Sequence, residues 1–183
     1  MRRNIDVFCA HLDQGVEAIV STSSACVLTM KEYRHQLGDD PVYAERAARV
    51  SAVVKDLAEV VAKEQPVCTG ITTSRRRVAF HAPCTLQHGQ KINGAVEKIL
   101  QAQGFELTPV AQGHLCCGSA GTYSVLQPRL SASLLENKLA GLSAGDPDII
   151  ATANIGCYTH LMTRAETPVL HWIELLDQAP PSS

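Results

Sequence analysis

Two cysteines, Cys116 and Cys117, stand side by side before Gly118. Thirty-one residues separate Cys84 from that pair, and Cys157 follows in the stretch Ile155-Gly156-Cys157-Tyr158-Thr159-His160. Neighbouring cysteines are poor disulfide partners, because a bridge between them closes a strained ring far from the preferred geometry. As thiolates they can instead grip different atoms of one polynuclear centre, and iron–sulfur clusters are the usual occupants of all-thiolate pockets. Zinc is the chemical alternative, since it also takes four thiolates in a closed tetrahedron. Zinc sites normally draw on Cys-x-x-Cys pairs, and the sequence has none, so the spacing favours iron–sulfur over zinc.

The plain structural role for these four cysteines is packing, because free cysteine is among the most buried residue types. Beside glycines and prolines, in segments expected to be loops, they fit that role badly. Cys9 and Cys68 carry no motif and read as packing or surface residues. His81 and His88 flank Cys84, and His114 lies two residues before the pair. An imidazole there can donate hydrogen bonds to cluster sulfurs and tune the potential, or be an ordinary strand-end histidine. The chain shows no phosphate-loop or dinucleotide fingerprint and no Cys/His nucleophile signature, so neither nucleotide binding nor thiol catalysis is indicated.

Composition sets the frame. A length of 183 residues with 45% hydrophobic and 19% charged residues suits one soluble domain or two small ones, and a net charge of −2 argues against nucleic acid as a partner. No apolar run approaches the roughly 20 residues that cross a bilayer, and the start Met-Arg-Arg-Asn lacks the apolar core of a secretion signal. A cytoplasmic location is expected, where cysteines stay reduced. An odd total of seven then fits ligation better than a disulfide framework.

Apolar residues at Tyr43, Ala47, Val50, Val54, Leu57 and Val61 predict one helix from Tyr43 to Val61. Residues 68–77, ending in Arg75-Arg76-Arg77, read as a solvated linker into a strand at Val78-Ala79-Phe80. A helix over Lys91–Gln103, a strand over Phe105–Val110, a leucine-striped helix over Val125–Leu142 and a strand over Asp148–Ala153 follow. Strands alternating with amphipathic helices predict an α/β fold with mostly parallel sheets and flanking helices, the four cysteines falling in loops at strand ends. A half-repeat is also visible. Ile19–Cys26 superposes on Ile150–Cys157 at a constant offset of 131, with a predicted helix before each, at Asn4–Gln14 and at Val125–Leu142.

His81-Ala82-Pro83-Cys84, Cys116-Cys117-Gly118 and Asn154-Ile155-Gly156-Cys157 together resemble the cysteine-rich CCG domain. Thr85–Gln90, Thr152–Cys157 and His171-Trp172-Ile173-Glu174 are similar to the C-terminal part of glycolate oxidase (glycolate dehydrogenase) iron–sulfur subunits. The resemblance implies two pseudo-symmetric CCG repeats, the first truncated. Residues 1–66 would be the C-terminal half of the first repeat plus a helical connector, 67–77 a linker, and 78–183 the second repeat. The ferredoxin motifs and the front of the first repeat are missing, so the chain is expected to be a fragment. The resemblance also implies a cluster of 4Fe–4S type on Cys84, Cys116, Cys117 and Cys157. CCG repeats commonly close with Cys-x-x-Cys, whereas here His160 stands at the last position, a further candidate ligand or a bystander. Cys26 would occupy the ligand position of the first repeat without its co-ligands.

The function implied is an oxidoreductase subunit without catalytic residues of its own. It would pass electrons from flavin-containing glycolate oxidase subunits to the respiratory chain, at the inner face of the membrane through the complex. The alternative is a zinc-bound or metal-free scaffold module that keeps only the partner surface.

Overall fold

The computed structural model describes residues 1–64 and 76–177, in two compact units, Met1–Lys63 and Glu64–Ser183. Cys68 and most of the expected linker lie outside the described residues. The last linker residue, Arg77, is not a free solvated charge. It opens a strand, and its guanidinium reaches Asp146 at 3.2 Å and the carbonyl of Gly145. The α/β class with parallel sheets expected from the alternation of strands and helices is the one observed.

In the first unit, helix α1 (Arg2–Leu12) carries Ile5, Phe8, Cys9 and Leu12 at helical spacing, which makes one apolar face. Cys9 is therefore a core residue. Strand β1 (Ile19–Ser21) runs into α2 (Ser24–Lys31), then come α3 (Tyr33–Gln36), α4 (Ala44–Val53), strand β2 (Val54–Asp56) and α5 (Leu57–Glu64). β1 and β2 pair in parallel, Ile19 opposite Val54. Ile5, Cys9, Val27, Tyr33, Ala47, Val50 and Val54 form the core.

The single helix expected over Tyr43–Val61 is broken at Val54, whose backbone is extended (φ −71°, ψ 128°). A local signal explains the break. Asp56 Oδ1 accepts from the Ala58 amide at 3.0 Å, while Glu59 Oε2 accepts from the Asp56 amide at 2.8 Å. That reciprocal pair is a capping box, which starts a new helix at Leu57 and frees Val54–Asp56 to join β1. The apolar spacing continues through the interruption, so periodicity alone could not reveal it.

The second unit is a four-stranded parallel sheet in the order β4-β3-β5-β6. Its strands are β3 (Arg77–His81), β4 (Glu106–Leu107), β5 (Ile149–Thr152) and β6 (Val169–His171), crossed by α6 (Ala95–Ala102), α7 (Tyr123–Leu126), α8 (Pro128–Ser143) and α9 (Ile155–Met162). The central pair, β3 and β5, is almost wholly buried, as in parallel sheets covered on both faces. Only Glu106 and Leu107 of the expected Phe105–Val110 strand pair with β3. The helix expected from Lys91 starts later, after Gly94. The long leucine helix is cut before Pro128, which has no amide hydrogen and suits a first helical position.

The buried face of α8 differs from the leucine stripe. Leu126 and Leu130 are exposed, at 70% and 56%, and the buried residues are Ser131, Leu135, Lys138, Gly141 and Leu142. Two polar side chains thus sit on the inner face of the longest helix.

The capping box generates a direct test. Asp56→Ala should cost the first unit about 1 kcal/mol, the usual worth of such a cap, with Asp56→Asn largely sparing it. Denaturant unfolding of both variants measures this, and equal loss in Asp56→Asn would place the effect elsewhere.

Candidate metal centre

Parallel pairing puts the carboxyl ends of β3 and β5 side by side, with His81 opposite Thr152. Loops at such ends carry the chemistry of open α/β sheets. After His81 the chain passes Ala82 and Pro83, and Cys84 opens a π-helical turn, Thr85–Gly89. Gln87 of this turn donates to the carbonyls of Ala82 at 2.9 Å and Gly113 at 3.2 Å, and His88 Nε2 meets the His114 carbonyl at 3.1 Å. The turn bearing Cys84 is thereby tied to the loop bearing Cys116 and Cys117.

Two glycines let that loop approach α8 and α9. A Cβ on Gly141 would lie 2.5 Å from the Ala111 carbonyl oxygen. Gly118 has φ +93°, and a Cβ there would lie 2.5 Å from the Ser131 carbonyl oxygen and 3.2 Å from His160 Nε2. Ser131 Oγ donates to the Gly118 carbonyl at 2.9 Å and lies 3.2 Å from His160 Nε2. His160 therefore braces the glycine turn through Ser131.

Cys157 is not in a loop. It is the third residue of α9, where Asn154 Nδ2 donates to its sulfur at 3.5 Å. The first turn of a helix also favours thiolate charge.

All four cysteines converge, each thiol close enough to the next to shift its ionisation, Cys84 with Cys116, Cys116 with Cys117 and Cys117 with Cys157. The neighbouring Cys117, and then Cys84, hold the Cys116 thiol far below its ordinary range. Cys117 lowers Cys157 as well. Cys84 and Cys117 are driven up, each chiefly by Cys116. Ionising all four sulfurs would crowd like charges that only a multivalent cation offsets.

Two further residues join the group, His81, which flanks Cys84 in the sequence, and Lys138, which spacing does not single out. A ring nitrogen of His81 and the sulfurs of Cys117 and Cys157 lie within 4.8 Å of one another, all buried. Burial, and then the Lys138 charge, pushes the His81 imidazole down to about 3, so it is neutral. Lys138 is only 2% exposed, and its ammonium donates to the carbonyls of Gln112 and Gly113 at 3.2 Å each. Burial lowers its pKa, while the charges of all four cysteines pull it up. A cavity of about 350 Å³ runs along His81, Gln87, His114 and Lys138. A lysine in register with Leu135 and Leu142 on an amphipathic helix is the signal by which Lys138 could have been found. Cys26, by contrast, is exposed at the third position of α2, and among the described residues it belongs to no donor group of three.

A parallel sheet with cysteines converging beyond its strand ends defines a class. Residues 78–162, which include all four cysteines, match the model of the cysteine-rich CCG domain. Along 97% of its length the chain is similar to two further proteins. It is 47% identical over 178 residues to the glycolate oxidase iron–sulfur subunit of Escherichia coli (strain K12), covering 44% of that protein. It is 28% identical over 183 residues to lactate utilization protein A of Bacillus licheniformis, covering 75% of it. The probable glycolate oxidase iron–sulfur subunit of Bacillus subtilis (strain 168) is 30% identical over 158 residues, 85% of this chain and 35% of that one. The chain thus spans less than half the length of the two glycolate oxidase subunits.

Gly118→Ala tests the loop. The added methyl meets backbone and the positive φ is lost to strain, so unfolding should be easier by about 1–3 kcal/mol. Thermal and denaturant unfolding would measure it, and wild-type stability would show that the Ser131 and His160 side of the turn gives way freely.

Proposed function

We propose that the chain is an iron–sulfur electron-transfer module whose centre is held by Cys84, Cys116, Cys117 and Cys157. The observation that carries this reading is the convergence of four cysteines from three separate segments, with the Cys117 and Cys157 sulfurs and a His81 nitrogen buried within 4.8 Å of one another. Soft thiolates at this density suit iron–sulfur chemistry, and a 4Fe–4S cluster matches the donor count. Such a cluster, when bound, takes up and gives up single electrons. The protein's own residues orient the thiolates, keep Cys117 and Cys157 from water, and place the Lys138 charge near a negatively charged centre.

The names of two relatives, iron–sulfur subunits of glycolate oxidase, support a place in a complex of that kind, in which we put a flavin-containing subunit before the cluster and the respiratory chain after it. Substrate oxidation would belong to the flavin partner. Among the described residues no helix is long and apolar enough to cross a membrane, which leaves association with the inner face to the rest of a complex.

The repeat belongs to the same proposal. β1-α2 and β5-α9 each consist of a strand and an eight-residue helix with a cysteine third, and each leads to a parallel partner strand, β6 directly after α9 and β2 only after α3 and α4. In each, the first isoleucine of the aligned pair, Ile19 or Ile150, sits opposite a valine, Val54 or Val169. We read them as two copies of one unit, with Cys26 the counterpart of Cys157.

Anaerobically purified chain should contain iron and acid-labile sulfide, and Cys117→Ser should lose both, since serine is a poor ligand for a soft centre. In the intact complex Cys117→Ser should stop electron flow from glycolate to an acceptor while the flavin is still reduced by glycolate. Zinc in place of iron and sulfide, or unchanged acceptor reduction, would make the site a structural scaffold.

Lys138→Met removes a positive charge from beside the centre and should lower its midpoint potential. The expected drop is on the order of 59 mV, a tenfold step for a one-electron couple. Lys138→Arg should hold the potential near wild type. A redox titration followed by electron paramagnetic resonance reads the difference; equal potentials in all three proteins would mean that Lys138 only anchors the loop.

A further inference from the structure

We propose that the centre is a mixed thiolate and imidazole one, with His81 supplying a nitrogen ligand on the side of Cys117 and Cys157. The inference rests on the proposed metal centre and specifies its donors. It assigns the imidazole to His81, with His160, the sequence's other candidate, as the bystander.

Geometry separates the two histidines. A donor nitrogen of His81 lies within 4.8 Å of both the Cys117 and Cys157 sulfurs. Donors sharing one tetrahedral metal, with bonds of about 2.0–2.3 Å, stand roughly 3.3–3.8 Å apart, and donors to neighbouring atoms of one cluster stand further apart, so a closure of at most about 1.5 Å places all three on a common centre. His160 is outside this triangle, its Nε2 facing Ser131 Oγ at 3.2 Å.

The surroundings of His81 are those of a ligand. Metal-bound histidines almost always engage their second ring nitrogen with a fixed polar partner, which sets the ring plane and the tautomer. Here Nδ1 lies 2.9 Å from Thr152 Oγ1. Thr152 is fully buried, and it faces His81 across the β3–β5 ladder, so the sheet itself holds the anchor. With Nδ1–H donating to the threonine hydroxyl, the Nε2 lone pair is the free donor. The ring is 2% exposed, which keeps water from competing for the metal.

The full chain, labelled with ¹⁵N-histidine and purified without oxygen, tests this. Iron and sulfide are measured first. The paramagnetic state of the centre is then examined by pulsed electron paramagnetic resonance for the hyperfine coupling of a ligated nitrogen, identified by its change between ¹⁴N and ¹⁵N histidine. We expect the coupling in wild type and in His160→Ala, and its loss in His81→Ala. Iron and sulfide without nitrogen coupling would overturn the His81 assignment and leave the cluster standing. Coupling that vanishes in His160→Ala, or survives in His81→Ala, would also overturn it. If His81→Ala does not fold, the wild-type and His160→Ala spectra decide alone. Absence of iron and sulfide would defeat the metal-centre reading, and this inference with it.

Discussion

The parallel pairing of β3 with β5 is the constraint on which the site depends. Its register sets His81 against Thr152. From that rung the chain leaves in two directions, into the turn that begins at Cys84 and into the helix that carries Cys157. Two cysteines seventy-three positions apart are brought together by four residue pairs of one ladder. The remaining pair arrives from the long connection between β4 and β5, pinned by Gln87, Lys138 and the close approach of Ala111 to Gly141. The ladder and these loop contacts act together on the four sulfurs. Sheet pairing and loop hydrogen bonds pre-organise them, which lowers the ordering cost of binding.

Electrostatics complete that arrangement. Four neighbouring sulfurs cannot all be charged in a half-buried site without compensation. The fold places one buried ammonium on α8, with neutral carbonyls as its hydrogen-bond partners. An ammonium in that position costs solvation energy unless negative charge accumulates nearby. Thiolates and cation thus answer each other, although they come from elements that share no sequence motif.

Much of this was legible in the sequence, and the failures have physical causes. The cysteine spacing pointed to one centre because adjacent cysteines have few other uses, and the alternation of apolar strands with amphipathic helices implied the parallel sheet. Cys157 was expected in a loop, yet it lies inside α9, because small residues such as Gly156 before a cysteine read as a turn while Asn154 starts a helix. Val54 was expected in a helix because the capping box formed by Asp56 and Glu59 leaves apolar spacing undisturbed. The inner face of α8 was misread because leucines dominate hydrophobic scoring, whereas Ser131 and Lys138 are buried for their polar bonds. His81 and His160 could not be ranked from sequence. Their roles depend on Thr152 and Ser131, residues far along the chain that nothing local connects to them.

Cys117 and Cys157 also belong to the apolar cluster built from Ala79, Leu135, Leu142, Ile150, Leu161 and Val169. The proposed centre is thus seated in the interior that keeps the sheet and helices together. An electron-transfer centre benefits from such a seat, because close-packed surroundings resist displacement when the charge changes and so keep the reorganisation accompanying each electron small. The same seating makes the unit fragile in a particular way. A lesion at either sulfur, such as oxidation to a bulkier polar acid, would intrude on the packing as well as on ligation. Damage to the redox site would then be registered as loss of the fold, and quality control that recognises unfolded protein could clear an electronically dead molecule without a dedicated sensor.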